Sequence, residues 1–243
     1  MSRTQVWFDG VELTSLFLVS NLQQPLLPRK IVTSDVPGKD GELFLGASLA
    51  TRTIKLTLTV RDRSITGLQE AARQLAAILN VSEPKPLRLS IDGGLYYMAV
   101  PNAKADGARY LHAIRYDVEF LLSDPVAYGD TQSVTVPSGG SVTFNVDGTY
   151  PTLPTITASA AGNGSGGDWR ITREDGAYVS AAIPSGVTSA PVVVDCAGRV
   201  LRVNSNVVVL PLEADWLVLE PGEHTLTMTG TGAATVEWAE RWV

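Results

Sequence analysis

Residues 51–61 read TRTIKLTLTVR and alternate between apolar and polar side chains. Ile54, Leu56, Leu58 and Val60 point one way, and the threonines and the lysine between them point the other way. A period of two is typical of a β-strand with one buried face. The stretch therefore predicts a half-buried strand, and strand signals continue on both sides of it.

Strands also dominate the rest of the first half. Asp9-Gly10 and Asp92-Gly93-Gly94 are turn sequences between short apolar runs, and each predicts a β-hairpin. The longest candidate strand covers residues 109–122, whose even positions form an apolar and aromatic face that includes His112. Residues 24–49 carry weak strand signals and several turn residues, so we expect a long loop there.

One helix interrupts these strands. Thr66 followed by Gln69 resembles a capping box at its start. Apolar residues then recur at helical spacing at Leu68, Ala72, Leu75 and Leu79. Asn80, Pro84 and Pro86 mark its end, because proline cannot continue a helix.

The second half consists of short strand candidates separated by Gly, Pro, Asn and Asp. The ten candidates are residues 132–136, 141–146, 155–160, 169–172, 178–183, 192–195, 200–203, 207–211, 224–228 and 234–242. Short strands at this spacing indicate an antiparallel sandwich or jelly roll. The predicted fold class is mainly β, with a barrel-like N-terminal domain that carries one α-helix and a C-terminal antiparallel β-sandwich.

The charge distribution suggests where the two domains meet. Residues 1–130 carry 14 basic and 14 acidic side chains, whereas residues 131–243 carry 5 basic and 11 acidic ones. Such a change in composition predicts two domains, 1–130 and 131–243. Neither half is basic, so we expect no binding driven by the neutralisation of phosphates.

Composition also restricts the chemistry. No apolar run approaches the ~18 residues of a membrane helix. The opening MSRTQVWFDG lacks the apolar core of a signal peptide, so we expect neither a secretory peptide nor membrane insertion. The single Cys196 cannot form an internal disulfide. One cysteine and two histidines leave few ligands for zinc or iron, so we expect no metal and no cofactor.

Three patterns suggest chemistry, and each has a simpler interpretation. Residues 162–167 read GNGSGG and match the dinucleotide pattern G-x-G-x-x-G, but the DWRIT that follows alternates as a strand, which favours a hairpin loop. His112 is interpreted as a neutral core or edge side chain, and His224, after a Pro-Gly turn, as exposed to water. Neither histidine is accompanied by a G-x-S-x-G nucleophile, so a hydrolase triad is unsupported.

Carboxylates and tryptophans complete the candidates. Glu174-Asp175 precedes a glycine and predicts a turn, while Glu237 and Glu240 fall on opposite faces of the last strand, so no catalytic pair is selected. Trp169, Trp216, Trp238 and Trp242 lie in the second half and favour core packing over a sugar-binding face. Cys196 is expected to be a small buried hydrophobic residue. We therefore predict no catalytic residues and no enzymatic activity.

The chain resembles the distal tail (Dit) proteins of long-tailed, non-contractile phages. The segments that carry the resemblance are VWFDGV at 6–11, the alternating strand at 54–60 with the helix after it, FLLSDPVAYG at 120–129, GTYPTLPTI at 148–156, VVDCAGR at 193–199, LEPGEH at 219–224 and WAERW at 238–242. Their order spans nearly the whole chain. One departure is His224, where the family's Pro-Gly-x-Asn turn has asparagine.

The resemblance implies a structural hub protein of the tail tip. It implies a homo-oligomeric ring, a hexamer in the family, that is built by the N-terminal domain and continues the tail tube. It also implies an outward-facing, galectin-like C-terminal domain. The expected partners are the tail tube protein, a tail-associated hub protein and receptor-binding proteins, with DNA passing through the lumen without specific binding. The expected location is the virion tail tip, and the host cytoplasm during assembly.

Three other functions remain open at this point. A carbohydrate-binding adhesin would act through the second domain, with Trp169 or Trp216 in the sugar site. A secreted β-sandwich glycosidase is disfavoured because we expect no signal peptide and because no two carboxylates stand out as a catalytic pair. A tail-tube subunit would have a similar N-terminal fold, but the additional C-terminal domain favours the tip.

Overall fold

The computed structural model describes residues 4–110, 112–160, 167–185 and 189–243. The chain divides into two compact units, of which the first runs to Ala127 and includes Val243, and the second is Tyr128–Trp242. The predicted hairpin loop with the G-x-G-x-x-G pattern, residues 162–167, lies outside the described residues except for Gly167.

Among its described residues, the first unit contains nine strands and two α-helices. They are β1 (Val6–Phe8), β2 (Val11–Glu12), α1 (Leu13–Leu16), β3 (Leu18–Gln23), β4 (Arg29–Asp35), β5 (Glu42–Leu49), β6 (Arg52–Arg61), α2 (Ile65–Leu79), β7 (Lys85–Leu89), β8 (Tyr96–Tyr110) and β9 (Ala113–Leu122). Seven of the strands pair antiparallel in the order β2-β1-β7-β8-β9-β6-β3. β4 and β5 form a separate two-stranded sheet.

The seven-stranded sheet curls on itself. The rings of Phe8 on β1 and Phe120 on β9 are 5.2 Å apart, although two strands separate β1 from β9. In a flat sheet those strands would lie about 14 Å apart. The contact therefore requires a strongly curved sheet, and the aromatic pair fills its concave side. This agrees with the predicted barrel-like domain.

The alternation at residues 51–61 sets which face of β6 is buried. Ile54, Leu56, Leu58 and Val60 are between 0% and 2% exposed, as predicted. β6 pairs along its whole length with β9, whose buried residues Val118, Phe120 and Leu122 face the same interior. The apolar faces of the two strands thus form one continuous part of the core.

The predicted strand at 109–122 is wrong at its start. β8 runs to Tyr110 and β9 begins at Ala113, with His112 exposed in the turn between them. His112 is therefore not a core or edge histidine. The sequence Tyr110-Leu111-His112-Ala113 did not predict a turn because it contains no Gly, Pro, Asn or Asp. Its even-numbered positions also continue the apolar and aromatic face of the predicted strand.

The helix α2 is confirmed, with a different cap. Ser64, and not Thr66, precedes the helix, and its side chain accepts a hydrogen bond of 2.9 Å from the backbone N–H of Gly67. Leu68 and Leu75 are the buried residues of the predicted stripe, and Asn80 is the C-cap. The sequence predicted one helix, but a single turn, α1, also forms, because four residues are too few to show a helical period.

The second unit is a two-layer antiparallel sandwich, as predicted. Its strands are β10 (Ala127–Val136), β11 (Ser141–Val146), β12 (Thr155–Ala160), β13 (Gly167–Arg173), β14 (Tyr178–Ile183), β15 (Ala190–Asp195), β16 (Val200–Val203), β17 (Asn206–Val208), β18 (Gly222–Thr229) and β19 (Ala234–Trp242). One layer has the order β17-β16-β15-β12-β19-β10 and the other β11-β18-β13-β14. Apolar side chains from both layers form one buried cluster between them.

Candidate functional site

The residues considered for chemistry lie apart or are used structurally. Cys196 is 1% exposed, and burial raises the pKa of its thiol to about 11, as expected for an inert buried cysteine. Glu237 and Glu240 both lie on β19, three positions apart. Within the part of the chain that the structure describes, no three acidic, histidine or cysteine side chains gather as a possible metal site. None of the helices described there is long and apolar enough to cross a membrane.

The tryptophans mostly fill the sandwich core. Trp169 and Trp238 are 1% and 5% exposed, and Trp216 packs against the same cluster. A ring that is buried to this degree offers no face for a sugar to stack on. Trp169 therefore cannot form the adhesin site considered above, and the carbohydrate-binding alternative is not favoured.

His224 is buried, which corrects the prediction that it is exposed to water. It is 7% exposed and lies on β18, where its Nδ1 is 2.8 Å from Glu174 Oε1 and its Nε2 is 2.7 Å from the Glu220 carbonyl oxygen. Both partners are acceptors, so the ring satisfies them when both nitrogens carry a proton and donate. Sequence could not show this, because Glu174 is 50 residues away along the chain. The histidine joins the β13–β14 turn to β18 and has no nitrogen left for catalysis.

The β13–β14 turn carries two carboxylates with lowered pKa values. Burial would raise the pKa of Glu174, but its own backbone, the Thr225 N–H at 3.0 Å and the His224 ring lower it overall. The hydrogen bond from Arg173, followed by the N–H of Ala177, lowers the pKa of Asp175 to about 2. The predicted turn at Glu174-Asp175 is thus held by charge as well as by backbone geometry.

We expect the second unit to lose stability in acid. A carboxyl whose folded pKa lies below its unfolded value of about 4 stabilises the fold above that pH, and this stability disappears as pH falls through the folded pKa. The thermal midpoint of the wild type should therefore fall more steeply between pH 5 and pH 2.5 than that of the double variant Glu174→Gln/Asp175→Asn. Calorimetry across this pH range measures the thermal midpoint of each protein. If the midpoints of the two proteins fell in parallel with pH, the result would contradict the expectation.

The clearest unpartnered surface is the two-stranded sheet of β4 and β5, here called the β4–β5 ribbon. All seven residues of β4 and six of the eight in β5 are exposed. Ile31 and Phe44 are 64% and 62% exposed, and Leu45 is 59% exposed. The sequence expectation of a loop at residues 24–49 is therefore wrong: most of the segment is regular β structure, open on both faces.

A second apolar surface lies beside α2, in a groove of about 520 Å³ between that helix and β9. Six of its lining residues, which define the α2 groove, are Ala72, Leu75, Ala76, Leu79, Tyr116 and Val118. The small alanines leave room where larger side chains would fill the space. The sequence showed the apolar stripe of this helix but not the groove, which depends on how β9 passes beside it.

The third surface is the polar face of β3, β6 and β9. Lys55 lies opposite Glu119 with Nζ and Oε1 2.6 Å apart, and Arg115 lies beside Asp117 at 3.8 Å. Thr57 donates a hydrogen bond of 2.7 Å to Asp117. These two basic and two acidic side chains cancel in the centre of the face, and Arg61 at the end of β6 adds one further basic side chain.

Comparisons with known proteins match both units. Residues 10–121 match a family described as phage tail protein RIFT-related domain, and residues 147–242 match siphovirus-type tail component, C-terminal domain. No curated protein sequence matches. These two domains in this order define a siphophage tail component.

Solved structures agree over the whole length. The Dit protein of phage SPP1, described as a hub of the adsorption apparatus of phages that infect Gram-positive bacteria, matches with a TM-score of 0.78 and 19% identity, covering 100% of both chains. A chain of the phage P2 baseplate in its activated conformation with Ca matches with a TM-score of 0.55 and 8% identity, covering 97% of this chain and 98% of that one. The same baseplate with Sr gives 0.54 and 7%, covering 96% and 97%.

The chain belongs to the siphophage distal tail protein family, and its place is the tail of the virion. The matched proteins are structural parts of phage tails and not enzymes. The expected resemblance is confirmed on both domains.

Proposed function

We propose that this protein is the hub of the tail tip, where six copies close into a ring that continues the tail tube. In this proposal residues 1–130 build the ring, and residues 131–243 project outward to hold receptor-binding proteins. A tail-associated hub protein caps the ring, and assembly takes place in the host cytoplasm. The observation that supports ring formation is the β4–β5 ribbon, because an isolated two-stranded sheet is marginally stable in water and needs a partner.

A ring needs a heterologous interface, in which two different surfaces of the same chain meet. The ribbon supplies one such surface. It also exposes more aliphatic and aromatic side chains in one place than monomeric soluble proteins usually do. Self-association therefore explains a feature that the isolated chain leaves without a role.

The Phe44→Ser variant tests ring formation. We expect the purified wild-type chain to form closed rings in negative-stain images and the variant to be monomeric at the same concentration. Because Phe44 is exposed, the unfolding free energy of the monomer should change by less than ~0.5 kcal/mol. Static light scattering measures the mass, and Ser48→Ala on the opposite ribbon face is the control. Wild-type monomers at all concentrations would contradict the proposal.

The polar face of β3, β6 and β9 suits the wall of a DNA channel. A wall with positive charge would hold DNA by displacing its counterions, whereas a neutral wall offers the phosphates no such partner. Lys55 and Arg115 are each beside a carboxylate, so their charges are compensated. We place this face toward the lumen of the proposed ring.

We expect no duplex DNA binding by the wild type at physiological salt. Replacing the two carboxylates in Asp117→Lys/Glu119→Lys gives four basic side chains in the centre of the polar face and should produce binding that weakens steeply as salt rises. Gel shifts at several salt concentrations measure both proteins. Submicromolar binding by the wild type would overturn the neutral-wall proposal.

A further inference from the structure

The strand β17 forms an open edge of the C-terminal sandwich. It is the last strand of its layer, and in the part of the chain that the structure describes it pairs only with β16. Residues 206–210, which read NVVVL, are here called the β17 edge. They include no charged residue, proline or glycine, although soluble proteins usually protect an exposed strand with charges, prolines or bulges. Such an edge is able to pair with a further strand.

The hairpin between β16 and β17 has a two-residue turn. Asn204 and Ser205 occupy it with φ values of +50° and +65°, as in a type I′ turn. In such a hairpin the two residues that flank the turn, here Val203 and Asn206, are joined by backbone hydrogen bonds. Bonded and non-bonded pairs then alternate along the two strands, and this alternation determines where the N–H and C=O groups of β17 point.

The backbone of Val207 faces solvent. Val207 is paired with Arg202, one position beyond the bonded pair, so the N–H and C=O groups of these two residues point away from each other. Those of Arg202 point toward β15, in agreement with the hydrogen bond of 3.0 Å from the Asn204 N–H to the Pro191 carbonyl oxygen on that side. Those of Val207 point outward, where the described residues provide no partner.

The side chains of the β17 edge also lack a neighbouring strand. Val207 and Val209 point outward and are 71% and 89% exposed. Val208 and Leu210 point inward and pack against the sandwich core, but both are only half-buried. A further strand beside β17 would cover these two residues, and its own inward-facing apolar side chains would extend the core.

Arg202 indicates which charge the further strand should carry. It is exposed on the same face as Val207, and it has no ion-pair or hydrogen-bond partner among the described residues. A strand added beyond β17 would lie about 10 Å from β16, a distance that an arginine and a glutamate side chain span together. The β17 edge of a second copy offers no carboxylate, so the charge favours a different protein as the source of the strand.

We propose that the β17 edge accepts an extended segment of another protein as an additional strand. The segment carries apolar side chains at alternate positions toward the sandwich interior, and a carboxylate on the outer face within reach of Arg202. In the proposed tail tip, this edge is where a receptor-binding protein is held, and in that respect the inference rests on the proposed function.

Peptide binding tests the edge. The probe is the peptide TVEVTVT, labelled with fluorescein at its N-terminus and amidated at its C-terminus, and fluorescence anisotropy measures its binding to the full chain. We expect saturable binding to the wild type and at least ~10-fold weaker binding to Val207→Pro, which removes the outward N–H. The hydrogen bonds between β16 and β17 remain, because that N–H takes no part in them.

Val207→Thr is the matched control for the proline variant. It keeps the N–H and a β-branched side chain, so the affinity for the peptide should change by less than ~2-fold. Equal affinities of the two variants, or no binding to the wild type, would overturn the proposal. Melting temperatures are measured first, and if Val207→Pro is not folded, the charge exchange below decides.

Charge exchange tests the position of the carboxylate. Arg202→Glu should bind TVEVTVT about 2–5-fold more weakly than the wild type does, and it should bind the peptide TVKVTVT more tightly than the wild type does. Arg63→Glu changes the net charge equally but lies in the first unit, so it should alter neither affinity. If Arg202→Glu behaved like Arg63→Glu, the proposed position of the carboxylate would be wrong.

Two further results separate this inference from its alternatives. A wild-type dimer that Val207→Pro dissociates and that the peptide disrupts would make a second copy the occupant and would overturn the proposal. Rings in negative-stain images without peptide binding would overturn the inference and leave the ring proposal standing. Peptide binding by a chain that forms no rings would support the edge as a binding site and contradict the ring.

Discussion

Trp169→Ala is expected to destabilise the C-terminal sandwich by ~3–5 kcal/mol. Trp169 lies on the inner strand β13 and is 1% exposed, with Val179 and Ala181 of β14 in the same buried cluster. Removing the indole deletes a large apolar surface and leaves a cavity, because two packed sheets cannot collapse fully around it. Since domains of this size are typically stable by about 5–15 kcal/mol, much of the margin would be lost.

Calorimetry of the full-length chain measures this loss. We expect the transition of the second unit to fall by roughly 15–25 °C, with the transition of the first unit unchanged. Trp169→Phe is the matched control: it keeps an aromatic ring and removes a buried indole N–H that has no hydrogen-bond partner among the described residues, so its cost should be much smaller. Equal losses for the two variants would show that cavity formation is not the cause.

The same variant separates the two proposed roles of the chain. If residues 1–130 build the ring by themselves, Trp169→Ala should still form rings above the melting temperature of its sandwich, where the unfolded sandwich no longer holds its partners. Loss of rings together with loss of the sandwich fold would instead make ring formation a property of both units.

The alternation of apolar and polar residues predicted the strands that have one buried face. β6 was found at the right residues because its side chains face core and solvent in turn, and the ten strands of the sandwich were found because Gly, Pro and Asn separate them. The same rule explains the failure at β4 and β5. A strand exposed on both faces has no reason to alternate, so Arg29–Asp35 reads as irregular although it is regular β structure.

The candidate surfaces were less predictable than the fold, because they depend on contacts between distant residues. The α2 groove needs Tyr116 on β9 beside Ala76 on α2, and the burial of His224 needs Glu174 from the distant β13–β14 turn. A signal for the ribbon was present, since Leu43, Phe44 and Leu45 form an apolar run that begins one residue after Asp40-Gly41. Interpreted as a hairpin, that run would have predicted exposed apolar side chains.

Gly148→Ala is expected to destabilise the second unit by ~3 kcal/mol or more. Gly148 has a φ of +122°, and a Cβ at this position would lie 2.4 Å from the backbone carbonyl oxygen of Arg241. That oxygen also accepts hydrogen bonds from the N–H groups of Thr149 (2.9 Å) and Tyr150 (3.1 Å), so it cannot move away without breaking them. The destabilisation from backbone strain and the destabilisation from the clash therefore add.

The contact matters because it fixes the end of the last strand. The Arg241 guanidinium lies 5.0 Å from the centre of the Tyr150 ring and donates a hydrogen bond of 3.1 Å to the Pro151 carbonyl oxygen. A side chain at Gly148 would separate residues 148–151 from β19 and disturb all of these contacts together. We therefore expect fast hydrogen exchange at Thr149 and Tyr150 in the variant as well as a lower melting temperature.

Gly176→Ala provides the matched control for Gly148→Ala. Gly176 also has a positive φ, +90°, but nothing lies within 4 Å of the Cβ that would be added. It carries the conformational cost of about 1–2 kcal/mol without a clash. Chemical denaturation measures the loss of unfolding free energy in both variants, and the difference between the two losses is the cost of the clash. If Gly148→Ala were no less stable than Gly176→Ala, residues 148–151 would be able to shift away from Arg241 at little cost.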